Sequence, residues 1–155
     1  MIKRQGKGFT LIELIIVITI IGLIAASILF SINRARQKSR IARAQADLDQ
    51  IAKAVVLLEL DTHEFPGHIL MGEESTEVIS DLTTPSAGIM QTDGDYENWQ
   101  GPYIQNISKD PWGQNYFLDY SYSLNGQNQP VVGSFGPNKI GPDEDDIVKG
   151  FINKG

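Results

Sequence analysis

The sequence of 155 residues contains no cysteine. It therefore offers neither a disulfide framework nor a thiolate metal site, and its loops must be fastened by other means. Catalytic patterns are missing as well: the sequence has no GxSxG, no phosphate-binding loop and no HExxH, and its two histidines have no third base partner. We therefore expect a protein that is not an enzyme.

Basic residues are scarce in the second part of the chain. Residues 54–155 have four Lys and no Arg against sixteen acids, whereas residues 1–53 have nine Lys or Arg against three acids. Binding to phosphate groups depends on Lys and Arg, so we do not expect the acidic part to bind nucleic acid. The length allows one compact domain with an appendage.

A stretch of nineteen residues, Leu14 to Ile32, has neither charge nor proline. As a helix it reaches roughly 28 Å, which is close to the ~30 Å hydrocarbon core of a bilayer. On hydropathy alone it is a plain signal anchor, since no standard signal peptidase site is evident. More basic residues follow the stretch than precede it, so the positive-inside rule alone would leave the later part in the cytoplasm.

One acid, Glu13, lies at the start of this apolar segment. An ionised carboxylate at membrane depth costs several kcal/mol, about 2.5–3.5 for Asp at a helix centre, unless it is paired or near the surface. Glu13 is only about one helical turn from the membrane face, so its side chain can also reach water without a partner. The residues alone leave both interpretations open.

The segment that begins with Gly8, GFTLIELIIVITIIGLIA, has Phe9 directly after the glycine and Glu13 four residues later. It resembles the class III leader and N-terminal helix of type IV pilins and pseudopilins. The resemblance implies that a prepilin peptidase cuts between Gly8 and Phe9 and methylates the new amino terminus, and that the globular part is exported. It also implies that the ammonium of Phe9 in one copy meets Glu13 of a neighbour in a helical stack, so that each charge neutralises the other.

Apolar residues recur at alternating spacings of four and three beyond the membrane segment, at Ala44, Leu48, Ile51, Val55 and Leu58. This spacing predicts one buried helix face. We expect a helix from about residue 9 to about residue 60, ended by the Pro and Gly at positions 66 and 67. The predicted organisation is a cleaved leader (1–8), a transmembrane helix (9–32), an amphipathic helix (33–64) and a globular part (65–155).

The globular part carries the signals of an antiparallel sheet. Asn125-Gly126 predicts a tight turn between a strand with three apolar residues on one face and a returning strand, Val131 to Phe135. A short helix is predicted around Val78 to Leu82. The expected fold class is α+β, with a long N-terminal helix on a small antiparallel sheet. The residues assigned to one face are Tyr120, Tyr122 and Leu124, and the core-filling tryptophans are Trp99 and Trp112.

Two short strings narrow the resemblance. Gly-Pro-Tyr at 101–103 and Asp-Pro-Trp-Gly at 110–113 are similar to the signature of the major pseudopilin of bacterial type II secretion systems. That family implies a helical homopolymer in the periplasm, anchored in the inner membrane by a single span. It implies as partners the prepilin peptidase, minor pseudopilins, the inner-membrane secretion platform and membrane lipid. A type IV pilin, a competence pseudopilin and a membrane-anchored domain that never polymerises are the alternatives.

Four consecutive acids occupy positions 143–146 and follow Gly and Pro. A solvated acidic turn is the usual interpretation of such a run. Oxygen ligands gathered in a loop also suit Ca²⁺, which takes about 6–8 of them. The loop is similar to the calcium loop of major pseudopilins, although an Asp would be typical at position 138. On that resemblance the ligands are Asn138, Asp145 and Asp146, with Ser134 as an accessory ligand or loop former and Phe135 through its carbonyl.

Overall fold

The computed structural model describes residues 8–70, 72–124 and 126–151. The chain divides into two compact units, residues 1–39 and residues 40–155. One helix, α1 (Leu11–Thr62), begins in the first unit and ends in the second. The predicted long helix is confirmed, with each end shifted by two residues. The predicted leader lies outside the described residues except for Gly8.

From Leu14 to Ile32 α1 carries no charged side chain and has apolar residues on all sides. Exposure of its large apolar side chains ranges from 41% at Ile32 to 76% at Leu11. By length and composition α1 is able to cross a membrane, and it is the one such helix within the described ranges. The hydroxyls of Thr19 and Ser27 donate to backbone carbonyls of the same helix at 2.7 and 2.9 Å, so these polar groups are satisfied without water.

In the C-terminal unit one face of α1 is buried against the sheet. All five residues of the predicted apolar face are at most 1% exposed, which confirms the 3.6-residue pattern. Four of them, all except Ala44, belong to a core cluster that also contains strand residues and the aromatic side chains of two loops. The five residues are Ala44, Leu48, Ile51, Val55 and Leu58.

The helix ends before Pro66 is reached. The Thr62 hydroxyl donates to the carbonyl of Leu58 at 2.8 Å and accepts from the N–H of Glu64 at 3.1 Å. His63 has φ 60°, the left-handed conformation that commonly follows a helix. A polar side chain and a left-handed residue therefore end α1, four residues before the proline.

Six strands follow α1 among the described residues, and they form two antiparallel sheets. The first sheet has two strands and the second has four, in the order β3-β4-β5-β6. A short 3₁₀ turn covers Pro85–Ala87. The strands are β1 (Glu64–Phe65), β2 (Ile69–Leu70), β3 (Val78–Ile79), β4 (Phe117–Leu124), β5 (Gln127–Ser134) and β6 (Ile147–Gly150).

The segment around Val78 is a strand, and the short helix predicted for it is wrong. Val78 and Ile79 pair with Asp119 and Leu118 of β4. A short apolar run does not distinguish a strand from a buried helix by periodicity. Pairing with β4, forty residues later in the chain, decides the conformation.

The predicted hairpin is confirmed by the antiparallel pairing of β4 with β5. Gly126 has φ 76°, as the predicted turn requires, while Asn125 lies outside the described residues.

The prediction that three apolar residues of β4 share one face is wrong. The register shifts between Asp119 and Tyr122, and this irregularity re-aims the side chains that follow it. Tyr120 therefore joins the core cluster under α1, whereas Tyr122 and Leu124 join a second cluster.

The Asp-Pro-Trp-Gly string is anchored by its aspartate. Asp110 is buried, and it accepts hydrogen bonds from the N–H groups of Trp112 (3.0 Å) and Gln114 (2.8 Å) and from the Ser134 hydroxyl (2.6 Å). Trp112 is half-buried and belongs to neither core cluster of the described residues, so its predicted core-filling role is wrong. Trp99 does pack against the main cluster.

Candidate functional site

A reciprocal hydrogen-bonded cap between Thr10 and Glu13 closes the start of α1. The N–H and hydroxyl of Thr10 donate to Glu13 Oε2 at 2.9 and 2.7 Å, and the N–H of Glu13 donates to Thr10 Oγ1 at 3.3 Å. In such a capping box each side chain satisfies an N–H that has no partner within the helix. This role of Thr10 was missed at the level of sequence, although Thr-x-x-Glu before an apolar run is its signature.

The cap occupies one oxygen of the Glu13 carboxylate. Both bonds from Thr10 end on Oε2, and Oε1 accepts no hydrogen bond from the part of the chain that the structure describes. Gly8 and Phe9 lie just before the cap, and Phe9 is 85% exposed. The residues predicted for cleavage and for charge pairing therefore lie together at the exposed start of α1. The pairing between two copies stays a prediction.

Asn138 holds the acidic loop between β5 and β6 together. Its side-chain amide nitrogen donates to Asp143 Oδ2 and to Asp145 Oδ1, both at 2.6 Å. Its backbone N–H donates to Asp145 Oδ2 at 3.3 Å, and its Oδ1 accepts from the N–H of Ile140 at 2.7 Å. The hydrogen bond from Asn138 is the main cause that lowers the pKa of Asp143. The amide thus lies between two carboxylates that would otherwise repel each other.

Asp146 is a partly buried acid of this loop. Its Oδ2 accepts from the Tyr122 hydroxyl at 2.9 Å and from the N–H of Asp143 at 3.3 Å, whereas its Oδ1 is buried and has no hydrogen-bond partner among the described residues. Burial raises the pKa of Asp146, and the charges of Asp143 and Asp145 raise it further, although the Tyr122 hydrogen bond opposes them. An acid in this position is stabilised by any cation that reaches Oδ1.

The two remaining predicted ligands have other contacts. Ser134 is fully buried, and its hydroxyl donates to Asp110 at 2.6 Å and accepts from the N–H of Gly136 at 3.2 Å. The ring of Phe135 stacks on Phe117 with centroids 4.4 Å apart, which fixes the chain where it leaves β5. Both residues thus shape the loop, and their roles as ligands stay predictions.

The loop is rich in oxygen atoms and poor in donors. Within the described ranges no three His, Cys, Asp or Glu side chains are arranged to hold a metal ion. Asn138 is of another residue type, and its amide supplies a carbonyl oxygen as well as the nitrogen that now bridges two acids. The unpartnered Oδ1 of Asp146 and the adjacent carboxylates suit a hard, oxygen-seeking cation such as Ca²⁺. The residues present therefore fit the predicted ion.

Two families match successive parts of the chain. The family described as type II secretion system (T2SS), protein G, matches residues 31–149. The chain belongs to this family. The prokaryotic N-terminal methylation motif matches residues 3–29, which include Gly8, Phe9 and Glu13. The protein G family consists of structural pseudopilin subunits, so the predicted resemblance is confirmed.

Relatives of this protein G family member match over nearly its whole length. Type II secretion system core protein G of Klebsiella pneumoniae is 28% identical over 97% of this chain and 99% of its own. The protein of the same name from Escherichia coli K12 is 29% identical over 97% of this chain and 94% of its own. The crystal structure of the major pseudopilin from the type 2 secretion system of enterohaemorrhagic Escherichia coli is similar in fold. It covers 74% of this chain and 85% of its own, with a TM-score of 0.52 at 19% identity, and confirms the type IV pilin-like α+β fold.

Proposed function

We propose that this protein is the major pseudopilin of a bacterial type II secretion system, a structural subunit that polymerises into the periplasmic pseudopilus. The observation that carries the proposal is the succession of a methylation motif and a protein G domain in one chain. A type IV pilin and a competence pseudopilin are less favoured, because the protein G family matches 31–149. We assign the protein no catalytic activity.

The proposed location is the inner membrane, with a single span and a periplasmic globular part. The support is the part of α1 from Leu14 to Ile32, which has no charge, exposes its large apolar side chains and satisfies the hydroxyls of Thr19 and Ser27 within the helix. Proposed partners are further copies of the chain, the prepilin peptidase, minor pseudopilins, the secretion platform and membrane lipid. Nucleic acid is not among them, because the globular part is strongly acidic.

In the proposed processing the peptidase cleaves between Gly8 and Phe9 and methylates the new amine. The ammonium of Phe9 then pairs with Glu13 of an adjacent copy in the fibre. Two isolated charges in an apolar fibre core would be costly, and the pair lowers that cost because each charge has a partner. Glu13 Oε2 remains available to its own Thr10 cap, so one carboxylate is able to serve both contacts.

Intact mass of the protein from its native membrane tests the processing. We expect a chain that has lost residues 1–8 and gained one methyl group, and fibres when the chain is overproduced with its secretion machinery. An unprocessed chain that forms no fibres would instead favour the membrane-anchored domain that never polymerises.

We also propose that the loop between β5 and β6 binds Ca²⁺. Asn138, Asp145 and Asp146 would hold the ion through side-chain oxygens, with Ser134 as an accessory ligand and Phe135 contributing its carbonyl. The bound ion would supply positive charge to the acids and fasten the loop to the sheet. The Oδ1 of Asp146, which has no partner among the described residues, and the adjacent carboxylates of Asp143 and Asp145 support this proposal.

A further inference from the structure

A groove runs between α1 and β6 in the C-terminal unit. It has a volume of about 490 Å³ and is lined by apolar side chains with three charged residues at its rim. The apolar lining continues on the next helical turn, where Leu60 is 61% exposed. The lining residues are Asp49, Ala52, Lys53, Val56, Leu57, Lys149 and Phe151.

The rim of the groove has an excess of positive charge. Lys149 Nζ forms an ion pair with Asp49 Oδ1 at 2.9 Å. Lys53 is exposed and forms no ion pair with any described residue. The groove therefore suits an apolar side chain that is accompanied by acids.

Such a side chain is present elsewhere on the same unit. Ile140, in the acidic loop, is 70% exposed, more than any other large apolar side chain described between residues 40 and 151. Its backbone N–H donates to Asn138 Oδ1 at 2.7 Å, and the exposed acids Asp143 and Glu144 follow it closely. A single exposed apolar side chain is common on a protein surface, so it is the combination of Ile140 with the acids that follow it that matches the groove.

We propose that Ile140 of one copy docks into the groove of a second copy, with Asp143 and Glu144 facing Lys53 and Lys149. This contact deepens the proposed function, because it presupposes that the chain polymerises. It combines burial of an exposed apolar side chain with opposite charges around it, which fixes register and excludes wrong partners.

The positions of the two surfaces suit a fibre. The loop precedes β6 and Phe151 follows it, so the four residues of β6 separate them by roughly 13 Å along the strand. Two different surfaces on one subunit make a heterologous contact, which continues from copy to copy unless the ring closes. A surface that bound its own counterpart would end in a dimer.

Disulfide crosslinking in cells tests the contact, because the natural chain has no cysteine. One full-length copy carries Lys139→Cys beside the docking isoleucine, and a second copy carries Leu60→Cys at the edge of the groove. The matched control replaces Lys139→Cys by Asn128→Cys, an exposed position at the other end of β5. We expect the first combination to give at least about tenfold more crosslinked dimer than the control, since docking raises the local concentration of the two thiols.

Three further substitutions test the chemistry of the contact. Adding Ile140→Asp to the Lys139→Cys copy should lower the crosslink about tenfold, because a charge replaces the apolar side chain. Lys53→Glu should lower it similarly, and combination with Glu144→Lys on the other copy should restore it. A crosslink whose yield does not respond to any of these changes, or disulfides of Lys139→Cys to another protein only, would overturn the inference.

Fibre formation by the unaltered chain is scored separately. If fibres form and the crosslink is absent, the inference fails while the proposed function stands. If the unaltered chain forms no fibres beside its secretion machinery, the proposed function fails and the inference falls with it.

Discussion

At the start of α1 a single carboxylate meets two demands. Glu13 accepts two hydrogen bonds from Thr10, and this contact is local to one chain. The proposed contact with the amine of Phe9 depends on charge and on a second copy. Glutamine retains the capping box but has no charge, so the two demands are separable by substitution.

We therefore predict different outcomes for two substitutions of Glu13. Glu13→Gln should insert into the membrane with its helix start intact and yet assemble poorly, because the neighbouring ammonium remains unpaired. Glu13→Ala should lose both the cap and assembly. Helix content of the purified protein in detergent and fibre yield in cells measure the two effects. Normal fibres from Glu13→Gln would show that capping is the whole role of the residue.

His68 occupies a second polar cluster, at the turn between β1 and β2. Its Nδ1 contacts Glu64 at 2.8 Å and its Nε2 contacts Asp93 at 3.1 Å, while its ring stacks on Tyr96 with centroids 4.0 Å apart. Burial lowers the pKa of His68, but the hydrogen bonds and charges of Asp93 and Glu64 outweigh burial and raise the pKa overall. The hydrogen bond to His68 likewise lowers the pKa of Asp93.

The raised pKa predicts that His68 stabilises the protein in mildly acidic solution. The contribution is fully present below the unfolded-state pKa of about 6.5 and is lost as pH rises through the folded-state pKa. For this partly exposed pair we expect about 0.5–1 kcal/mol at pH 5.5–6 relative to His68→Gln, and less at pH 9. Denaturant unfolding of the full chain in detergent measures the difference. A difference that does not change with pH would show that stacking, not charge, is the contribution of His68.

Two kinds of group are able to relieve the repulsion among the acids in the loop between β5 and β6. One is the Asn138 amide, which donates to Asp143 and Asp145 in this structure. The other is a cation, for which the Oδ1 of Asp146 has a free position. Tyr122 of β4 donates to Asp146, so the group that stabilises these acids also affects how the loop is attached to the sheet.

Asn138→Asp should therefore lower stability without calcium and enlarge the stabilisation that calcium provides. In chelator the variant should unfold more easily than the natural protein, because two hydrogen bonds are replaced by repulsion between like charges. In calcium it should gain more than the natural protein does, since ligand charge strengthens calcium sites. An ion at 100 times its Kd adds about 2.7 kcal/mol, which is readily seen as a rise in Tm.

The control for this comparison is Asn128→Asp, which adds the same charge to an exposed position outside the loop. It should respond to calcium as the natural protein does. If neither the natural protein nor Asn138→Asp shows any difference between calcium and chelator, the calcium proposal is excluded.

The two compact units of the molecule differ in how their apolar side chains are covered. Residues 40–151 bury one face of α1 in the main core cluster. The described residues before 40 leave 41–85% of each large apolar side chain exposed and need lipid or other copies of the chain to cover that surface.

A fragment that starts at residue 33 should accordingly be a soluble, folded monomer. We expect it to unfold cooperatively with the same calcium response as the full chain, because the loop and the sheet are complete. It should form no fibres, because the apolar helix and Glu13 are absent. Analytical ultracentrifugation and thermal unfolding measure these properties. Spontaneous fibres of the fragment would contradict the role given to the N-terminal half of α1.

Patterns with a local cause were predictable from the sequence. The helix, its buried face and the turn at Gly126 follow from spacing and from the conformational freedom of glycine, which act within a few residues. The capping box is also local. Its Thr-x-x-Glu signature is present at Thr10 and Glu13 and was missed. Trp112 was predicted to fill the core because its side chain is large. Asp110 of the same string is instead the buried residue that anchors this turn.

What only the tertiary structure decided depends on residues far apart in the chain. Pairing with β4 turned Val78 into a strand residue, and the bulge after Asp119 sent Tyr120 and Tyr122 to different clusters. The same is true of the link from Tyr122 to Asp146, twenty-four residues later. Periodicity specifies which residues share a face of one element, but register and contact between elements are set by how those elements pack.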